Sequence, residues 1–142
     1  MILLDTDHVS ALKYLEHSRA KQLVGKLAAL LANEVIGLSI ITVEEQLSAW
    51  YTLLRRAKTA TDLVPVYRRM TETVRFLSRL PLLTSAEAAA HAYENLRKQK
   101  PRTGRMDLRI AAAALTRDCT LLTRNTVDFE RVPGLRFEDW TM

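Results

Sequence analysis

The chain has 142 residues, 48% hydrophobic and 26% charged, the composition of an ordinary globular protein with enough length to bury one sizeable core, and a single domain over residues 1–142 is expected. Its longest apolar run, LAALLA from Leu27 to Ala32, is well short of the roughly 20 residues that span a bilayer, and no basic stretch followed by an apolar core opens the sequence, so no membrane role and a soluble, cytoplasmic protein are expected. Cys119 is the single cysteine, which excludes an internal disulfide and a cysteine-built zinc cluster, and a net charge of +5 with a pI near 9.7 points to an acidic partner.

In chain order, MILLDTDHVS begins with a short aliphatic run that reads as a strand buried on both faces, ending at Asp5 and Asp7. HVSALKYLEH and SRAKQLVGKLAALLAN follow with apolar residues at helical spacing, Asn33 supplying a stop. EVIGLSII, rich in β-branched residues, is expected as a second buried strand ending near Ile41, and TVEEQLSAWYTLLRRAKT returns to the helical period with Leu47, Trp50, Tyr51 and Leu54 on one face. A further helix covers roughly Thr61 to Arg79, LPLLT reads as a third short strand, and a helix runs from Ser85 to about Lys98. After the KPRTG loop, MDLRIAAAALTRD is helical, CTLLT is a strand and NTVDFERV a helical turn, and Pro133-Gly134 turns the chain into a last strand, LRFEDW. Strands separated by helices predict the α/β class, a parallel sheet covered on both faces, whose strand carboxyl ends share one ligand-binding edge.

That edge is where the acids gather. Beside Asp5 and Asp7 it receives Thr42 and Glu45 after the second strand, Asp107 at the start of the Ala-rich helix, and Thr123, Asn125 and Asp128 after the fourth strand. Singly each has a local explanation: Thr42-Val-Glu-Glu45 is a capping box, Asp107 favours a helix amino end and Asn125 opens a turn. Together, Asp5, Glu45, Asp107 and Asn125 come from four separated segments, and clustered carboxylates repel and desolvate at a cost of several kcal/mol. A hard divalent cation, Mg²⁺ or Mn²⁺, removes that cost and binds phosphate oxygens. The basic stretch RKQKPRTGRMDLR, with Arg97, Lys98, Lys100, Arg102, Arg105 and Arg109 against Asp107 alone, reads either as a solvated face or as a guide for a phosphate backbone. A second basic stretch holds Arg55, Arg56, Lys58, Arg68, Arg69 and Arg75. The inferred chemistry is phosphodiester hydrolysis.

The motifs LLDTD, SIITVEEQL, GRMDLRIAAAA and LLTRNTVDFERVPGLRFEDW, in that order between residues 2 and 140, resemble the PIN-domain ribonucleases, and within them the VapC toxins of toxin–antitoxin pairs. The resemblance implies a mainly parallel sheet of about five strands between helices, Mg²⁺- or Mn²⁺-dependent endoribonuclease activity on RNA, a homodimer and a cognate antitoxin. By position it carries the acidic roles to Asp5, to Glu45 through the spacing Ser39-x-x-Thr42-x-x-Glu45, and to Asp107, with Glu44 out of register. Thr6 and Thr123 match positions that orient ligands or water, and Arg124 joins the basic residues expected on the RNA backbone. Asn125 stands where many members have aspartate, offering a carbonyl instead of a charge, so one ion is expected, with Asp128 one turn beyond. Asp7, asparagine in many relatives, either adds charge to the metal site or caps the first helix, the cap being favoured. His8, His17 and His91 are expected at the surface or in packing, and Trp50 and Trp140 in the core or at a subunit contact. The helix after Thr42 and the basic helix after it are candidates for a dimer interface or an antitoxin groove.

Two rivals stand beside this reading. The D-x-D after a buried strand also resembles the nucleophile and general-acid pair of haloacid-dehalogenase phosphotransferases, but that class needs a later lysine, more acids and a longer chain. A non-catalytic RNA-binding module with the same fold is the other, against which stands the presence of all three acids.

Overall fold

The computed structural model describes residues 1–14, 18–30, 33–83, 85–99 and 101–142. Its centre is a parallel sheet of β1 (Ile2–Leu4), β2 (Ile36–Leu38), β3 (Thr120–Leu122) and β4 (Arg136–Glu138) in the order β2-β1-β3-β4. Among the described residues four strands are formed where about five were expected. The LPLLT segment contributes a single bridge, Leu82 opposite Leu38, made when Leu38 N–H donates to the Pro81 carbonyl (2.9 Å) and Leu83 N–H to the Leu38 carbonyl (2.9 Å). This minimal pairing covers the outer edge of β2.

Register explains how the faces divide. Leu3, Gly37 and Leu121 lie side by side, flanked by rows that align Ile2 with Ile36 and Leu4 with Leu38 and Leu122. Because side chains alternate along a strand, Leu3 and Leu121 join one core under α5 (Ala86–Lys98) and α6 (Arg105–Thr116), whose run Ile110 to Ala114 is wholly buried. Ile2, Leu4, Leu38 and Leu122 join the other, with Val9 of α1 (Thr6–Lys13), Leu23 of α2 (Ser18–Ala28) and Leu77 of α4 (Ala60–Leu77). At Gly37 a Cβ would lie 2.4 Å from the Pro81 carbonyl oxygen, so glycine lets the 81–83 segment close on the sheet.

Two boundaries differ from expectation. β2 stops at Leu38 and α3 (Ile40–Arg56) takes over, so Ile40 and Ile41 belong to a helix although their β-branched side chains continue the strand pattern. The reason is Ser39, in extended conformation, whose hydroxyl accepts from Thr42 N–H (3.0 Å). The expected capping box of Thr42 with Glu45 is therefore not formed; Ser39 caps, and Thr42 is buried inside the helix. Likewise Asp5, not Asp7, caps α1, accepting from Thr6 N–H at 2.7 Å. A short α7 (Thr126–Phe129) links β3 to β4. The ends of the helices predicted to reach His17 and Asn33, and of the LPLLT segment at Thr84, touch positions outside the described residues.

Candidate active site

From β1 the chain turns one way to β2, and from β3 the other way to β4, so the strand order reverses between the neighbours β1 and β3. In open parallel sheets this reversal leaves a crevice at the strands' carboxyl ends. Asp5 and Thr123 stand at that point, 118 residues apart in the chain, and Thr123 Oγ1 donates to Asp5 Oδ2 at 2.7 Å. Both are buried, Asp5 to 5% exposure. Thr123 also receives Asn125 N–H (3.0 Å), which orients its hydroxyl toward Asp5.

Ser39 and Thr42 build the second wall. Their hydroxyls are 2.9 Å apart, and Thr42 Oγ1 donates to the Leu4 carbonyl (3.3 Å), clamping the first turn of α3 to the end of β1. Glu45, one turn further on the same helix face, is thereby presented to α1, where its carboxylate accepts the Thr6 hydroxyl. Gln46 completes the joint, donating to the Thr6 carbonyl and to Ser10 Oγ, both at 3.0 Å.

Asp107, in the first turn of α6, forms the third wall with the α7 residues. The Asn125 Nδ2 group donates both to Asp107 Oδ2 and to Asp128 Oδ2, each at 3.1 Å. Its amide N–H₂, not its carbonyl, thus faces the acids, reversing the sequence-based expectation, because two carboxylates demand donors between them. Arg131, which sequence reading passed over, pairs with Asp128 Oδ1 (3.2 Å) and donates to the Arg102 carbonyl (2.9 Å), fixing the preceding loop.

Burial pushes Asp5 up from its ordinary 3.8 to about 6, with Asp7 and Glu45 adding repulsion and the Thr123 and Thr6 hydrogen bonds opposing it. Asp107 is also raised, by burial first and then by Glu45, Asp128 and Asp7. Among the described residues no lysine or arginine pairs with Asp5, Glu45 or Asp107. The same residues contain no three acids or histidines close enough to chelate an ion as they stand. Asp5, Glu45 and Asp107, which repel one another and have no basic partner among the described residues, are hard oxygen donors of the kind that suit a Mg²⁺-type ion, which keeps several waters and touches only one or two carboxylates directly.

Asp7 adds its charge to Asp5 and Asp107 but is tied to other partners. Its Oδ1 meets His8 Nδ1 (2.7 Å) and its Oδ2 accepts Arg124 N–H (2.7 Å). His8, fully buried, accepts Trp140 N–H on Nε2 (3.2 Å), so Nδ1 carries the proton given to Asp7. The packing role expected of the histidines holds for His8; His91 is exposed, and His17 lies outside the described residues. Of the expected RNA-backbone residues, Arg97, Lys98, Arg102, Arg105 and Arg124 are exposed, and Lys100 lies outside the described residues. Arg109 is half-buried, 3.8 Å from Glu44 and over the Tyr93 ring.

Comparison with known proteins shows what the chain is similar to. The family model for the PIN domain matches residues 2–135. Along 70 residues, 46% of this chain and 53% of the relative's length, the sequence is 41% identical to the tRNA(fMet)-specific endonuclease VapC of Shigella flexneri, so the match spans about half of that protein. Ribonuclease VapC1 of Haemophilus influenzae (strain R2866) is 28% identical over 98% of this chain and 97% of its own. The solved structure of VapBC2 from Rickettsia felis bound to a DNA fragment from their promoter superposes with a TM-score of 0.73 at 28% identity, covering 99% of both chains. With the family model matched over residues 2–135, the chain belongs to the PIN-domain family.

Proposed function

We propose that this protein is a VapC-type toxin, an endoribonuclease dependent on Mg²⁺ or Mn²⁺, acting in the cytoplasm as a homodimer and restrained by a cognate antitoxin. The observation that carries the reading is the convergence of Asp5, Glu45 and Asp107, without basic partners among the described residues, at the reversal point of the sheet. The names of the relatives and the toxin–antitoxin complex of the structural neighbour support it.

In this reading Asp5, Glu45 and Asp107 hold the ion, which when bound lowers the pKa of a coordinated water and neutralises phosphoryl charge. The protein does the remaining work. Thr123 and the Thr6 N–H fix the Asp5 carboxylate, the Thr6 hydroxyl fixes Glu45, and the Asn125 amide keeps Asp107 and Asp128 from swinging apart. Asp128 takes part through water, and Asp7, tied to His8 and the Arg124 backbone, serves mainly to hold the crevice wall. Arg97, Lys98, Lys100, Arg102, Arg105, Arg109 and Arg124 draw in the RNA backbone by charge. The positive balance of the chain favours this over a phosphatase acting on small molecules.

The test is incubation of antitoxin-free protein, and of the Asp5→Asn/Asp107→Asn double variant, with total cellular RNA and Mg²⁺ or Mn²⁺, followed by sequencing of new RNA ends. Discrete ends that vanish with chelator and in the variant are expected. Folded protein that yields no metal-dependent ends would return the chain to the non-catalytic binding reading.

A further inference from the structure

A cavity of about 220 Å³ opens beside the acids, with Thr6 and Glu45 at one end and Lys13, Tyr14 and Trp50 at the other. The far end is built with care. Trp50 Nε1 donates to Thr73 Oγ1 (3.0 Å), and Thr73, fully buried in α4, passes its own hydrogen to the Arg69 carbonyl (2.9 Å), so the indole plane is fixed from a second helix. Lys13 Nζ also donates to Thr73 and lies 5.2 Å from the centroids of both the Trp50 and Tyr14 rings, a cation between two aromatic faces. Tyr14 is 47% exposed. Packing alone gives no reason to hold two aromatic rings and an ammonium in an open cavity whose other wall is a proposed metal ligand.

We infer that this cavity is a nucleobase subsite, in which one base of a single-stranded substrate stacks on Trp50 and Tyr14 while Lys13 contacts its phosphate. The inference rests on the RNA-cleaving reading and names where the strand leaves the acids. Aromatic faces receive any base, and stacking is the usual way a protein holds an unpaired nucleotide. A nucleotide carries a flat ring and an anionic phosphate in one unit, matching the two rings, the lysine and the neighbouring carboxylate site together. Beside it on α1 a second cavity, of about 540 Å³, is lined by Arg19 and Arg124 together with Asp7, and Ser10 borders both. A strand passing over Ser10 thus meets cations on one side and the stacking pair on the other.

The test uses uridine 5′-monophosphate, which has no diester to cleave, with Mg²⁺ and a Trp140→Phe background in which Trp50 is the sole tryptophan emitter. Saturable quenching is expected with the nucleotide and not with ribose 5-phosphate, which lacks the base. Tyr14→Ala, at an exposed position, is expected to weaken binding about fivefold or more without a change in melting temperature, and Lys13→Gln, which keeps a donor for Thr73, to weaken it as well. Unchanged Trp50 emission, equal binding of ribose 5-phosphate, or unchanged affinity in both variants would overturn the inference. RNA cleavage by the unmodified protein is measured in parallel. Cleavage without a Trp50 response sinks the subsite alone, whereas absence of cleavage sinks the nuclease reading itself.

Discussion

Replacing Asp5 with asparagine is expected to stabilise the metal-free protein while abolishing its proposed activity. The folded state holds this carboxyl at about 6 against an ordinary 3.8, a difference of about two units, which corresponds to about 3 kcal/mol of native-state penalty once the group is ionised. Asparagine removes the charge and keeps one carbonyl for Thr6 N–H, but its N–H₂ then faces Thr123 Oγ1, which must turn to accept, at a cost of about 1 kcal/mol. The net gain is about 2 kcal/mol, or roughly 4 to 8 °C in a chain of this size. The sign follows from proton counts. Between 3.8 and about 6 the folded carboxyl binds more protons than the unfolded one, so wild-type stability falls as pH rises through that window, and the full penalty is present above it. The variant lacks this dependence, so it should be about 1 kcal/mol less stable than wild type at the acidic end of the window and about 2 kcal/mol more stable at neutral pH. Thermal melts in chelator across that range read the effect directly, and Mg²⁺ should raise the wild type more than the variant. A variant that melts at or below wild type at neutral pH, or an advantage that does not widen with pH, would refute the account of Asp5 as an uncompensated buried charge.

Asn125→Asp should act in the opposite direction, since it exchanges two donated hydrogen bonds for a further negative charge beside Asp107 and Asp128; melting in chelator should drop, and Mn²⁺ should restore it with a larger shift than in wild type. Gly37→Ala should cost about 3 kcal/mol or abolish soluble expression, because its Cβ meets a backbone oxygen that only moves with the whole 81–83 segment; denaturant unfolding measures this. Ser39→Ala removes the cap of α3 and the Thr42 contact, and is expected to cost about 1 to 2 kcal/mol. Because Glu45 rides on that first turn, RNA cleavage by this variant should fall even at temperatures where it is fully folded.

The helices were legible because each shows an apolar stripe at the 3.6-residue period, and β1 and β3 because short aliphatic runs end in polar clusters. The start of α3 was not legible, since the isoleucines on both sides of Ser39 continue one strand-like pattern from Ile36 to Ile41 and only the bond from Thr42 N–H to Ser39 separates strand from helix within it. The three acids could be found from spacing and motif order, which is information a sequence carries in full. What the side chains do to one another could not. The inward turn of the Asn125 amide depends on two carboxylates arriving from α6 and α7, and the seating of Lys13 and Trp50 depends on Thr73 of α4, 60 and 23 residues away. Asp7 reads as a capping residue because a shift of two positions changes which carboxylate meets the first free amide, and only backbone geometry at Asp5 decides it.

The position of β1 has a consequence for the order of events during synthesis. β1 occupies the middle of the sheet, and one of its two neighbours, β3, is translated only after α1 to α6 have been made. A chain with such distant pairings forms slowly, since a long loop must close before the contacts repay it. While ribosomes add roughly 5 to 20 residues per second, Asp5 waits in an unfinished chain until Thr123 emerges and the crevice can close. A nascent chain of this fold therefore carries Asp5, Glu45 and Asp107 in order before Thr123 has emerged to fix the first of them.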